Sequence, residues 1–131
     1  MVTRQRALVD TSVFLGVESG RLAAAAVADY EWAVSAITLG ELELGVIRAG
    51  DPDRTARRLA TLRLAQRFDP IPINDRVGAA WALLVAKLRD EGRKAPINDS
   101  WIAATAISEG VPLITQDGDY QDMPDLTVVA V

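Results

Sequence analysis

Four acidic residues carry most of the chemistry that this sequence offers, because each follows an apolar segment or opens a helix. Asp10 comes directly after the apolar residues 7–9, and Asp117 follows a second apolar segment after one intervening residue. Asp99 stands at the start of a predicted helix, and Glu41 lies one turn into another. If these segments converge, four carboxylates share one cleft.

Such a cleft would be unfavourable alone, since neighbouring carboxylates raise one another's pKa and resist ionisation. A divalent cation resolves the conflict, because Mg²⁺ and Mn²⁺ prefer hard oxygen ligands. A bound ion lowers the pKa of water and neutralises a leaving oxygen. The four acids therefore predict metal-dependent phosphodiester cleavage.

The amino-acid composition excludes several kinds of catalytic and metal site. The 131 residues include no cysteine and no histidine, which excludes disulfides, thiolate or histidine zinc sites and Ser–His–Asp triads. Any catalysis must rest on carboxylates, hydroxyls, Lys or Arg, which favours a mechanism assisted by a metal. The net charge of −4 argues only weakly against a nucleic-acid partner, because acids gathered in one site can dominate that sum.

Each acid also has a structural interpretation. Asp10 and Asp99 are equally suited to capping a helix, Glu41 to a solvated helix face, and Asp117 to a turn. The pattern of all four together favours a site.

Hydrophobic patterning predicts one α/β domain over residues 1–131, with short strands alternating with amphipathic helices. Parallel sheets of this kind place ligand sites at the carboxyl ends of their strands, where the acids lie. We expect strands at residues 7–9, 33–35, 69–73, 111–115 and 126–131. We expect helices at residues 21–29, 38–47, 53–67, 75–90 and 98–108, with Thr38, Asp53 and Asn98 or Asp99 as caps. A further helix is expected after the first strand, capped by Thr11 or Ser12.

The longest purely apolar run covers only residues 22–28, far short of the roughly 20 residues that span a bilayer. The polar, basic start of the chain is unlike a signal peptide. These features predict a soluble, cytoplasmic protein with no membrane partner.

Four segments resemble the motifs of the PIN-domain family, in the same order along the chain. Residues 8–14 resemble its opening strand with Asp-Thr-Ser, and residues 38–45 its helix with a Glu four residues before Gly. Residues 98–106 are similar to its Asn-Asp helix, and residues 112–120 to its last strand with Thr-x-Asp-x-Asp. The short chain is most similar to VapC-type toxins of type II toxin–antitoxin (VapBC) systems.

This resemblance implies a three-layer α/β/α fold with a central, parallel five-stranded sheet. It also implies an endoribonuclease that depends on Mg²⁺ or, in its place, Mn²⁺ and acts on transfer or ribosomal RNA. The expected partners are a VapB-type antitoxin and a second copy of the chain. An inactive PIN domain that binds RNA or antitoxin is the alternative.

Carried over by position, Asp10, Glu41, Asp99 and Asp117 are the catalytic and metal-binding residues. Supporting groups that hold the carboxylates in place are Thr11, Ser12, Asn98, Thr115 and Asp119. Arg93 and Lys94, in the loop before residue 98, are expected to contact RNA phosphates. Tyr120 stands where the family more often has Phe.

Two other classes fit the sequence less well. Aspartyl phosphatases usually carry Asp-x-Asp after the first strand, whereas the third position here is Ser12. A phospho-receiver pairs its acids with a late lysine, and the last lysine in this chain is Lys94.

Overall fold

A single five-stranded parallel sheet forms the centre of the protein, for which a computed structural model describes residues 4–131. The strand order is β3-β2-β1-β4-β5, and all four neighbouring pairs run parallel. The carboxyl ends of all strands therefore meet at one edge. The strands span Gln5–Val9 (β1), Tyr30–Ser35 (β2), Asp69–Ile71 (β3), Leu113–Thr115 (β4) and Val128–Ala130 (β5).

Five helices cover both faces of the sheet and produce the predicted α/β/α arrangement. Successive residues of β1 point to opposite faces, so Ala7 and Val9 join one core cluster while Leu8 joins the other. The helices are α1 (Thr11–Glu18), α2 (Ala36–Ile47), α3 (Pro52–Ala65), α4 (Asp75–Asp90) and α5 (Ile97–Glu109). The first three pack on the Val9 face and the last two on the Leu8 face, which confirms the predicted fold class.

The helix predicted at residues 21–29 is wrong. The structure has only a 3₁₀ turn at Ala24–Val27, in which the alanines are exposed and Val27 is buried. Its alanines favour a helix by propensity, but they supply too little apolar side chain to form a buried stripe. No side chain caps this turn, so neither packing nor capping extends it.

Three predicted helix caps are also wrong. Ser35, rather than Thr38, caps α2 by accepting a hydrogen bond from the Ile37 amide. The fifth helix begins at Ile97, directly after Pro96 and without a side-chain cap, so neither Asn98 nor Asp99 has that role. Both changes move the helix start upstream, and the functional side chains then lie inside the first turns.

The helix α4 begins at Asp75 as predicted, but the caps of α1 and α3 lie upstream of the expected residues. Asp10 caps α1, where Thr11 or Ser12 was expected, and Asp51 caps α3 in place of Asp53. Between residues 4 and 131, no helix combines the length and apolar character that crossing a bilayer requires.

Candidate active site

Asp10 is a buried carboxylate at the carboxyl end of the central strand β1. Asp10 is only 3% exposed to solvent. Three hydroxyl groups donate to it, from Ser12 at 2.7 Å, Thr115 at 2.8 Å and Tyr120 at 3.0 Å. Because a buried charge is costly without partners, these three donors are what allow Asp10 to occupy this position.

The hydroxyls of Ser12 and Thr115 also join the ends of β1 and β4. The Ser12 Oγ accepts the backbone N–H of Gln116 at 3.0 Å. The Thr115 Oγ1 accepts the backbone N–H of Asp117 at 2.9 Å. Each hydroxyl thus donates to Asp10 and accepts from the loop after β4, so the position of Asp117 is tied to that of Asp10.

Asp99 lies in the first turn of α5 and is only partly buried. The pKa of Asp99 is raised from 3.8 to about 6, chiefly by burial; a hydrogen bond from Tyr120 lowers it, and the negative charges of Asp117, Asp10 and Asp119 add to the rise. This carboxylate is therefore crowded by like charges, whereas Asp10 is surrounded by donors.

Three carboxylates meet directly at this point of the sheet edge. Oxygens of Asp99, Asp117 and Asp119 all lie within 4.8 Å of one another, and we call this group the acidic cluster. The Asp117 side chain also accepts the Asp119 backbone N–H at 2.9 Å, which holds the two acids of the turn together. Asp119, predicted as a supporting group, thus stands beside Asp99 and Asp117 rather than behind them.

Tyr120 connects the acidic cluster to Asp10. Its hydroxyl lies 3.0 Å from Asp10 Oδ1 and 3.1 Å from Asp99 Oδ1, and its residue is fully buried. Burial and the two acids raise the pKa of Tyr120 above its usual value, so the phenol keeps its proton. A phenol has one proton to donate, so it serves one of the two carboxylates at a time.

Glu41 lies to one side of the acidic cluster. Its carboxylate accepts the Thr11 hydroxyl at 2.8 Å and the Asn98 side-chain amide at a long 3.5 Å. Thr11 in turn lies 3.0 Å from the Thr38 hydroxyl. The structure therefore brings α1, α2 and α5 together around Glu41, with its carboxylate oriented by polar neighbours.

The two cations predicted to contact RNA differ in their surroundings. Arg93 bonds to the Glu91 carboxylate and to the backbone carbonyls of Gln121 and Asp122. It ties the loop after α4 to the loop that carries the acidic cluster. Lys94 is exposed and makes no ion pair with any residue in the 4–131 range.

The donor set fits a hard divalent cation. The acidic cluster offers oxygen ligands alone, which suit Mg²⁺ and Mn²⁺. The pKa of Asp99 is raised first by burial and then by the neighbouring acids, and a bound cation relieves the repulsion between those acids. Throughout residues 4–131, no buried side-chain nitrogen or oxygen lacks a hydrogen-bond partner, so the hydroxyl network around Asp10 is complete as it stands.

Tyr120 is the residue whose role the sequence did not reveal. Its hydroxyl distinguishes it from the Phe that the resemblance leads one to expect. The presence of Tyr in place of Phe could have indicated this role, because a buried phenol needs a hydrogen-bond partner and carboxylates were predicted nearby.

Comparison with known proteins agrees with this fold. The PIN domain family matches residues 7–126. Ribonuclease VapC4 from Mycobacterium tuberculosis is 55% identical over 127 residues, which cover 97% of this chain and 98% of the relative. Ribonuclease VapC5 from the same organism is 42% identical over 86% of this chain and 84% of the relative.

A solved structure shows the same architecture. The crystal structure of VapBC-5 from M. tuberculosis, a member of the VapBC family of toxin–antitoxin systems, contains a chain with a TM-score of 0.82 and 36% identity. The match covers 95% of this chain and 98% of that one. The chain belongs to the PIN-domain family, and within that family its relatives are proteins of the VapC type.

Proposed function

We propose that the protein is the toxin of a type II toxin–antitoxin pair, an endoribonuclease that depends on Mg²⁺ or Mn²⁺. One observation carries the proposal: the acidic cluster lies at the carboxyl edge of the sheet in a PIN domain that is 55% identical to Ribonuclease VapC4. Carboxylates at that edge are where an α/β fold exposes functional groups.

The acidic cluster and Asp10 are the groups that would hold the ion, with Glu41 contributing directly or through water. When bound, the ion supplies an activated water and neutralises charge on the leaving oxygen of the phosphodiester. Asp99, Asp117 and Asp119 present converging oxygens.

The remaining polar groups position these acids. Ser12, Thr115 and Tyr120 hold Asp10 in one orientation, and Thr11 holds Glu41. Oriented ligands bind a metal more tightly than mobile ones, and losing such an orienting partner costs about 10–100-fold in affinity or activity.

An antitoxin partner is part of the proposal, supported by a partly apolar groove beside Glu41. The groove has a volume of about 330 Å³ and is lined in part by Leu15 and Leu44, which are 41% and 55% exposed. An antitoxin segment of the VapB type that packs there would cover the approach to Glu41. A homodimer, a transfer or ribosomal RNA substrate and a cytoplasmic location complete the proposal.

The test is incubation of purified, antitoxin-free protein with cellular RNA, with and without Mg²⁺ or Mn²⁺. We expect cleavage that requires the ion and is lost in Asp10→Asn and Asp99→Asn. Asp53→Asn is the matched control, because Asp53 is an exposed acid in the first turn of α3. An inactive, RNA-binding PIN domain would bind RNA without cutting it, and equal cutting by wild type and both site variants would reject the proposed site.

A further inference from the structure

A cavity formed by α4, α5 and the loop between them is lined by apolar, aromatic and cationic side chains, unlike the acidic cluster. Its volume is about 520 Å³, within the range of small-molecule binding sites. We call it the α4–α5 cavity. Its wall combines the apolar and aromatic side chains of Trp81, Val85, Leu88 and Ile97 with the cationic side chains of Arg89 and Lys94.

Trp81 gives this cavity a fixed aromatic surface. Its ring stacks on Trp101 with the ring centres 4.5 Å apart and the planes within 5°. Its indole N–H donates to the Ser100 hydroxyl at 2.9 Å. Trp101 covers one face of the Trp81 ring, and Trp81, unlike Trp101, lines the cavity. A ring held this way stacks on a partner with little loss of side-chain entropy.

Two cations beside this aromatic surface are available to a ligand. Arg89 and Lys94 are exposed, and neither forms an ion pair within residues 4–131. Arg93 also lines the cavity, but its guanidinium is already bonded to Glu91 and to two backbone carbonyls. Arg93 therefore shapes the cavity wall, while Arg89 and Lys94 supply free positive charge in a chain whose net charge is −4.

The cavity and the acidic cluster share the first turn of α5. Ile97 and Ser100 line the cavity, and Asp99 of the acidic cluster lies between them in the sequence of that turn.

We propose that the α4–α5 cavity binds one unpaired nucleotide of the RNA substrate, with its base on Trp81 and its flanking phosphates at Arg89 and Lys94. An aromatic platform beside cations is the combination that recognises single-stranded nucleic acid. RNA bases that can be splayed out in this way occur in loops and bulges, so the cavity selects unpaired regions. The inference rests on the proposed ribonuclease function and adds a substrate-binding site to it.

A second copy of the chain is the competing occupant, because Leu83 and Ile97 are 55% and 73% exposed on these helices. Charge favours RNA. Covering the cavity with an apolar surface would leave Arg89 and Lys94 desolvated without a partner, which is costly, whereas phosphates satisfy both.

The test measures binding of a fluorescently labelled, unstructured RNA oligomer to the full chain in EDTA, by anisotropy over a series of salt concentrations. The Arg89→Gln, Lys94→Gln double variant should bind about tenfold more weakly, and the slope of log K against log[salt] should shrink by about 1.4, since each single-strand phosphate contact contributes about 0.7. Arg63→Gln, an exposed cation on α3 across the sheet, should bind like wild type.

Trp81→Leu, checked for folding by circular dichroism and melting temperature, should weaken binding by about tenfold or more without changing the salt slope. The double cation variant changes only exposed side chains, so the test does not depend on the folding of the tryptophan variant. Sedimentation of each variant without RNA reports the oligomeric state.

Unchanged affinity and salt slope in the double variant would overturn the proposal, as would a wild-type chain that binds no unstructured RNA. A change in oligomeric state with unaltered RNA binding would assign the cavity to a second copy and would also overturn it. Failure of the ribonuclease function looks different: the wild type would then cut RNA no better than Asp10→Asn, whatever these binding measurements show.

Discussion

The two sides of the site, around Asp10 and around Asp99, differ in how the protein surrounds a carboxylate. At the end of β1, Asp10 is buried and receives three hydroxyl hydrogen bonds. At the start of α5, Asp99 shares the Tyr120 hydroxyl with Asp10 and faces the other two acids of the acidic cluster. The first carboxylate is satisfied by the protein itself, whereas the second lies among like charges. In the proposed metal site, Asp10 would be the rigid anchor, and a bound ion would relieve the repulsion within the acidic cluster.

The largest expected effect is on activity. Asp10→Asn and Asp99→Asn should each lower the rate of RNA cleavage by about 10³-fold, because each removes a ligand charge from a metal that supplies several kcal/mol of transition-state stabilisation. Gel assays of a defined RNA under single-turnover conditions measure this. If only one of the two substitutions mattered, the anchor and the cluster would not act on the same ion.

Tyr120→Phe should lower activity and Mg²⁺ affinity by about 10–100-fold, as removal of groups that orient metal ligands typically does. The ring remains and continues to fill the core, while the hydroxyl that links Asp10 to Asp99 is lost. Rates measured across a range of Mg²⁺ concentrations check this. A variant that needed no more Mg²⁺ than wild type would show that the two sides are independent.

A smaller effect concerns the stability of the metal-free protein. The pKa of Asp99 is about 6 in the folded chain and 3.8 as a free group, so folding favours its protonated form. Its favourable contribution is complete below about 3.8 and is lost as the pH rises through about 6. Asp99→Asn should therefore be more stable than wild type at pH 7 by roughly 1 kcal/mol after solvent screening, and equally stable near pH 3.5.

Thermal melts in EDTA at several pH values measure that difference, with a rise of about 4 °C expected at pH 7. Asp53→Asn is the control, because its side chain lies outside the acidic cluster. A difference between Asp99→Asn and wild type that did not grow with pH would contradict the raised pKa of Asp99.

The same two sides differ in how far the sequence predicted them. Parallel topology placed Asp10 and Asp117 at one edge because each follows a strand, and a strand's end is readable from its apolar run. The five strands were predicted for the same reason. The convergence of Asp99 with these acids followed from the family motifs, and the structure brings them together.

What the sequence did not predict depends on side-chain direction. Asp119 was expected behind the metal ligands, but the short 3₁₀ turn Gly118–Tyr120 directs it toward Asp99. The same turn directs Tyr120 into the core, with its hydroxyl between two carboxylates. Such directions are set by tertiary packing rather than by spacing along the chain. The incorrect helix at residues 21–29 has a similar cause, since propensity without a buried stripe does not form a helix.

The most direct test is titration of the metal-free protein with Mn²⁺, monitored by electron paramagnetic resonance. The wild type and Asp53→Asn should bind the ion alike, and Asp99→Asn and Asp10→Asn should bind at least tenfold more weakly. A wild type that holds no Mn²⁺, or site variants that hold it as tightly as wild type, would contradict the account of a carboxylate-held metal centre.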